Sequence, residues 1–508
     1  MRCLYLTQEL APFFAEGGLG LTSRALPATL QRAHGLVHDV FLPYYPRLVR
    51  EQGLRTEPVL RLPESSVGGV VTEPVVERLL GTGDGPEVLL LRADEWYDRE
   101  GIYRDGLYVE FPDAGDRAAF FGRGAAQWAH RSGRHYDLVH GNDWQSGAAL
   151  AHLRAQRGTK ESPALLLNIH SAHYRGELPP ERLPALGLPP EYADSLTRCT
   201  GEPPSLLLAG LLAADAATTG SPGYARELTD DLAGTALADA LGRLELTGIV
   251  AGVDTRIWNP GTPGRASHPY SPATVEAGKR ENKRALQRRL GLTPDPAVAL
   301  FGVCSRLVWE KGTDLLLEGL EPLVTAGRAQ LVVVGPGDDV HLKALADLMA
   351  TAPGAVHHSP AFDQGLAWQV YAGSDFSPMP SRMEPCGLNQ LISMAYGTIP
   401  LTTPVGGLRD TVTDLTADAS RGTGLVVPEH TAEAVRNTAE RAVRLLADRS
   451  AEVTALRRRL MEQDWSWERS ARETAALCTE LVEAVRQPGH HTSRGTIPRT
   501  SHIREQAP

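Results

Sequence analysis

Short, nearly unbroken apolar runs alternate along this chain with longer amphipathic or loop-like stretches. In the first half the runs are "RCLYLT", "HDVFLP", "EVLLLRA", "DLVHGN" and "ALLLNIH"; in the second they are "VALFGVCS", "AQLVVVG", "DFSPMPS" and "TIPLTTP". Apolar runs of this kind, separated by helical segments such as "GTDLLLEGLEPLVTAG", predict parallel strands covered on both faces. The two series part near residue 250, so the pattern predicts two doubly wound α/β domains. The stretch "AGVDTRIWNPGTPGRASHPYSPATVEAGK", rich in Pro, Gly and Ser, reads as the connection between them. No internal repeat is visible. The last segment, "QPGHHTSRGTIPRTSHIREQAP", lacks apolar periodicity and predicts a disordered tail, in which His490 and His491 read as solvated rather than as metal ligands.

Composition narrows the function. A length of 508 residues exceeds what one hydrophobic core usually holds. Hydrophobic and charged fractions of 42% and 22% are those of an ordinary soluble globular protein. A formal charge of −10 argues against nucleic acid as a partner, which would call for a net basic face. The five cysteines (Cys3, Cys199, Cys304, Cys386 and Cys478) have no paired spacing for zinc or a disulfide framework, which suits a reducing cytoplasm. "MRCLYLTQEL" reads as a buried strand rather than a signal peptide, and no run approaches the roughly 18 apolar residues of a membrane span. The expectation is a cytoplasmic protein with no membrane partner.

Punctuation residues gather at strand ends. "GGLG" (17–20), "HGNDWQSG" (140–147), "HSAHYRG" (170–176), "SRLVWEKG" (305–312) and "GPGD" (335–338) each follow an apolar run. Ligands of open parallel sheets bind outside the carboxyl ends of the strands, so these loops predict a site in a cleft between the domains. Arg306 and Lys311 suit an anionic phosphate, the guanidinium by forked bonds and the lysine as a point charge, although alone they read equally well as exposed helix-start cations. Gly17, Gly18, Gly20 and the pair Gly406–Gly407 would let backbone amides at helix starts approach an anion; a simple turn is the plainer reading of any one of them. Glu384, heading "EPCGLNQ", is either a site carboxylate or an N-cap. His170 ends a buried strand, where a structural histidine is the ordinary reading. Nothing near Cys386 in sequence supplies the base a nucleophilic thiol needs. Asp230–Asp231 and Asp338–Asp339 lack the ligand clustering of a cation site, so no metal is implied.

Seven collinear segments resemble the bacterial glycogen synthase and plant starch synthase family: "ELAPFFAEGGLG", "HGNDWQSG", "TTGSPGYARE", "AGVDTRIWNP", "SRLVWEKGTDLLLE", "PSRMEPCGLNQ" and "YGTIPLTTPVGGLRDTV". The resemblance implies a GT-B fold, two Rossmann-like doubly wound domains facing across a cleft. It places an acceptor-side domain at 1–248 and a nucleotide-sugar domain at 249–460. A crossover helix at 461–486, around "WSWERSARETAAL", would return to the first domain before a tail at 487–508. It further implies a retaining, metal-independent glycosyltransferase that needs no cofactor beyond its nucleotide-diphosphate sugar. By the same resemblance Arg306 and Lys311 bind the diphosphate and Glu384 lies by the donor sugar. Cys386, Gly387 and Leu388 offer backbone amides to sugar hydroxyls, and Gly406–Gly407 lies by the phosphates. His170 is a reaction-centre or hydroxyl contact. Phe362 stacks on the base, Gly335, Gly337 and Asp338 turn near the nucleotide, and Asp143, Trp144 and Ser171 lie on the acceptor side, Trp144 being equally a packing residue.

Three positions depart from the family pattern. Ala15 stands where the family has the lysine of Lys-x-Gly-Gly-Leu, Ser171 where it has asparagine after the histidine, and Ala251 where it has the asparagine of Asn-Gly-Ile/Val-Asp. With Arg306, Lys311 and Glu384 retained, these changes predict a working transferase with an altered donor or acceptor. A small hydroxyl or thiol in a natural-product pathway is the favoured acceptor. The alternatives are an ADP-glucose-dependent glycogen synthase and a catalytically silent glucan-binding or regulatory protein.

Overall fold

A computed structural model describes residues 1–106, 109–157, 162–199, 202–361, 363–416 and 421–487. The tail expected at 487–508, with His490 and His491, lies outside them from residue 488 onward, as does Phe362. The described chain forms two compact units. The first comprises Met1–Thr219, Leu228–Thr247 and the chain from Ala471; the second comprises Gly220–Glu227 and Gly248–Ser470. Residues 220–227, assigned to the first domain from sequence, thus fold with the second, and the helix Trp467–Arg486 begins in the second unit and continues in the first.

The first unit is built on a nine-stranded sheet. From one edge its strands are Leu246–Gly248, Ala216–Thr219, Ala164–Ile169, Leu138–Asn142, Arg2–Leu6, Val37–Pro43, Glu87–Arg92, Val75–Leu79 and Thr56–Arg61. The strands from Ala216–Thr219 to Glu87–Arg92 pair in parallel; the last two add in antiparallel fashion. Every apolar run read from the first half of the sequence is one of the parallel strands. The antiparallel edge, whose strand Thr56–Arg61 is mostly exposed and has no buried residue, carries no such run. Arg2–Leu6 sits mid-sheet, with Cys3 to Leu6 fully buried.

The second unit has a six-stranded, all-parallel sheet: Val356–Ser359, Ala329–Val334, Ala299–Cys304, Phe376–Met379, Ile399–Thr402 and Leu425–Val426. Ala299–Cys304 and Ala329–Val334 are buried along their whole length, as strands with helices on both faces must be. The sheet is tied to its helices by one buried carboxylate. Asp375, just before Phe376–Met379, accepts from Lys283 Nζ at 2.6 Å, from Arg457 Nη2 at 2.7 Å and from the Leu300 amide at 3.0 Å. Burial alone would push its pKa up, but the two cations outweigh it and hold the carboxyl at about 2. No helix among the described residues is long and apolar enough to cross a membrane.

Candidate functional site

In the second unit the strand-end loops converge on Glu384. The strand Ala299–Cys304 runs into the turn that carries Arg306 and Lys311, and Gly312, with φ 66°, reverses the chain into the helix Thr313–Thr325. A side chain at Gly312 would collide with the Pro380 carbonyl, so glycine lets this turn lie against the loop after Phe376–Met379. The two are also bonded. The Glu310 carbonyl accepts from the Arg382 amide at 2.8 Å, and Arg382 forms a forked pair with Asp314, both bonds 2.7 Å. Held in this way, Lys311 Nζ donates to Glu384 Oε2 at 2.6 Å, and Ser381 Oγ donates to the same oxygen at 3.3 Å. Glu384 is mostly buried, its side chain 12% exposed, and Lys311 is 27% exposed. Arg306 is half-buried in the same turn. Glu384 does not cap a helix: the helix that follows, Asn389–Ala395, starts beyond Leu388.

The residues after Glu384 are fixed by neighbouring side chains. Gln390 Nε2 donates to the carbonyls of Cys386 and Gly387 at 3.0 and 2.8 Å, orienting peptides 386–388. The Ala251 amide donates to Cys386 Sγ at 3.3 Å. Burial pushes the Cys386 thiol up to about 12, so it stays protonated and is no nucleophile. Gly335 ends the strand Ala329–Val334, and its amide donates to the Ser359 carbonyl at 2.9 Å. The Asp338 amide donates to the Leu307 carbonyl at 3.0 Å, and Leu307 bridges Gly337, so the glycine turn is stitched to the Arg306 turn.

The Gly406–Gly407 pair corrects an expectation. Its amides do not wait for a phosphate: Gly406 donates to Glu227 Oε1 at 2.8 Å and Gly407 to the Glu384 carbonyl at 2.9 Å. A methyl on Gly406 would strike the Glu384 carbonyl oxygen, and one on Gly407 that of Cys386. The pair is glycine because the start of the short helix Gly406–Thr411 lies directly on the backbone of the Glu384 loop.

In the first unit the loops after Leu138–Asn142 and Ala164–Ile169 join. Asp143 is the one non-glycine residue with positive φ among those described, at φ 54°. Its half-buried carboxylate accepts from the His170 amide at 2.7 Å and also from the Ser171 amide, which sets the turn after the strand. His170 Nε2 lies 2.9 Å from Asn168 Nδ2 and 3.0 Å from Asn142 Oδ1, so this ring edge is committed to the two asparagines. Asn142 is itself fixed by donating to the Leu6 carbonyl at 2.8 Å. Trp144 is buried, with its ring against Gly176, and packs. At the glycine loop the helix Gly18–His34 begins after Gly17, and Gly17 and Gly18 are exposed while Gly20 is buried. The Gly17 amide is already taken: Glu9 Oε2 accepts from Glu16 and Gly17 at 2.9 and 2.8 Å, and Tyr103 donates to Glu9 Oε1 at 2.9 Å. An anion at this helix start would meet the amides from Gly18 onward. Glu9, Ser381 and Glu227 belong to the site but not to the sequence reading: the bond from Gly406 to Glu227 spans 179 positions, and Glu9 and Ser381, which act on nearby loop residues, carry no motif of their own. Among the described residues no group of three or more His, Cys, Asp or Glu could hold a metal ion.

Comparison with known proteins agrees with the fold. Residues 2–243 match the starch synthase catalytic domain family and residues 299–448 the family of glycosyl transferases group 1. The chain is 38% identical over 502 residues to a glycogen synthase of Dechloromonas aromatica, spanning 94% of this chain and 98% of that one. It is 37% identical over 501 residues to one from Anaeromyxobacter dehalogenans, covering 95% and 100%. Among solved structures, the catalytic domain of starch synthase IV from Arabidopsis thaliana superimposes with a TM-score of 0.84 at 26% identity, over 95% of this chain and 99% of that one. These relatives do not favour the natural-product acceptor expected from Ala15, Ser171 and Ala251. Ser171 and Ala251 bond through their backbone amides, to Asp143 and Cys386, and a change of side chain leaves those bonds in place. Ala15 stands exposed, and the structure offers no account of the missing lysine. With both units α/β, the site loops at the strand ends and near-full-length identity well above 30%, the chain belongs to the glycogen and starch synthase family of GT-B glycosyltransferases.

Proposed function

We propose that the protein is a glycogen synthase that transfers glucose from ADP-glucose to the end of an α-1,4-glucan with retention of anomeric configuration. The observation that carries this reading is the identity to glycogen synthases along 94% of the chain, through both units. ADP and acarbose are bound in the similar Arabidopsis domain; carried to this chain, that pairing supports an adenosine diphosphate leaving group and a glucan-like acceptor.

The chemistry follows from the residues. Departure of a nucleoside diphosphate builds negative charge on phosphate and positive charge on the anomeric carbon. Arg306 and Lys311 neutralise the first, and no metal or other cofactor is invoked. The Glu384 carboxylate stabilises the second and bonds sugar hydroxyls, without a covalent intermediate. One bond from Lys311 to Glu384 leaves two of the ammonium's three N–H donors for diphosphate oxygens, so the pair is compatible with both tasks. The peptides of Cys386, Gly387 and Leu388 and the His170 ring and carbonyl serve as sugar contacts, and Phe362 serves as the base-stacking residue. Gly335 and the Gly17–Gly20 loop border the donor. A thermal-shift series with ADP, UDP and GDP tests the donor, because a ligand of the native state raises its melting point by mass action. ADP should raise it most. Stabilisation by GDP alone, or an inverted linkage in the NMR spectrum of the product, overturns the reading.

A further inference from the structure

Behind the Glu384 loop, two carboxylates join the two segments that grip it. Glu227 lies in the helix Pro222–Asp231, within the eight residues 220–227 that fold with the second unit; Asp410 lies in the helix Gly406–Thr411. Each carboxylate binds a backbone amide of the other segment. Glu227 Oε1 accepts from Gly406 at 2.8 Å, and Asp410 Oδ2 accepts from Gly223 at 2.5 Å. Arg409 and Arg226 add longer contacts of 3.4 Å to Glu227 and Asp410. Both arginines are well exposed, so those pairs contribute little.

The Glu384 loop lies between the joined segments. From one side Ser221 Oγ donates to the Pro385 carbonyl at 2.8 Å, and Gly220 packs so closely that an added Cβ would stand 3.0 Å from Cys386 Cβ. From the other the Gly407 amide donates to the Glu384 carbonyl at 2.9 Å, on the glycine platform already described. The carbonyls of Glu384 and Pro385 are thus each held by a different segment, and the carboxylates fix the spacing between the two. We infer that Glu227 and Asp410 are positioning residues for Glu384, setting the place of its carboxylate through the backbone without touching substrate. A small misplacement of a reacting group costs up to about 100-fold in rate, which is the scale on which such a device acts.

The inference rests on the glycosyltransferase reading of Glu384, and the test separates the two. Glu227→Ala should lower kcat about 10- to 100-fold, with KM for ADP-glucose changed less than about threefold. Glu227→Gln, whose amide oxygen still accepts from Gly406, should restore most of the rate. Asp410→Ala should behave like Glu227→Ala, and the double variant should be little worse than either single one. Hydrogen exchange at the Gly407 amide, which donates to the Glu384 carbonyl, should quicken in both alanine variants and not in Glu227→Gln, whatever substrate the enzyme uses. Wild-type exchange at Gly407 in Glu227→Ala and Asp410→Ala overturns the inference. So does a Glu227→Gln rate as low as that of Glu227→Ala, which would put the charge itself to work. A wild-type enzyme inactive with ADP-glucose refutes the proposed function instead and leaves the exchange result to decide the positioning role.

Discussion

Lys311 Nζ lies 2.6 Å from Glu384 Oε2, so the cation of one strand-end turn and the carboxylate of the next form one ion pair. Groups that act as a unit give non-additive losses. Lys311→Ala should lower transfer by at least about 100-fold, and Glu384→Gln should abolish turnover while leaving ADP binding in place. The double variant should lose far less than the product of the two factors. Rates of the four proteins with one donor, and ADP titration of each, check this; a fully multiplicative double loss would mean that the two residues do unrelated work.

Arg306→Ala should cost about 100-fold, or roughly 3 kcal/mol of leaving-group stabilisation, while the protein stays folded. The comparison of kcat/KM with a thermal melt reads both. A collapse of the melt would make Arg306 structural.

Gly407→Ala places a methyl against the Cys386 carbonyl. The loop must shift, so turnover should fall at least about tenfold while the second unit stays folded. Circular dichroism and initial rates decide it. A fully active alanine variant would show that the close approach has no bearing on Glu384.

The Cys386 thiol, held protonated at about 12, should resist iodoacetamide in the native protein. Cys386→Ser keeps an acceptor for the Ala251 amide and should retain activity within about fivefold. Loss of all turnover in that variant would call for a role that the geometry does not supply.

Asp375 gives the pH dependence. Its folded pKa of about 2 is below its ordinary 3.8, so its contribution to stability is complete above about 4 and is lost as pH falls towards 2. The contribution is about 2 kcal/mol. Asp375→Asn leaves Lys283 and Arg457 buried without their counter-charge and should cost about 3–5 kcal/mol at pH 7. Urea unfolding of both proteins at pH 7 and pH 3 should show the gap narrowing at the lower pH. A constant gap contradicts the pair's role.

The parallel strands were legible because burial on both faces writes a continuous apolar run, as in Ala329–Val334. The antiparallel edge at Thr56–Arg61 was not, since a half-exposed strand leaves no such mark. Arg306 and Lys311 could be named from residue type and strand-end position, and Glu384 from the resemblance to the family, its residue type alone leaving an N-cap open. Their mutual geometry could not, because the 2.6 Å contact depends on Gly312, Arg382 and Asp314 drawing two loops together. Gly406–Gly407 misled for a physical reason: glycine marks close approach to backbone, and sequence does not say whether that backbone belongs to a ligand or to the chain. Here it is the chain's own loop. At Ser171 and Ala251 the bonds to Asp143 and Cys386 are made by backbone amides, which every non-proline residue has, so residue type alone says little about them.

The most direct measurement is incorporation of labelled glucose from ADP-glucose into a glycogen primer by the purified protein. The account predicts steady incorporation at a turnover of order 1–100 per second, with the label released as glucose units by an α-1,4-specific hydrolase. Negligible incorporation from ADP-glucose, by a protein that still binds a nucleoside diphosphate, would contradict it.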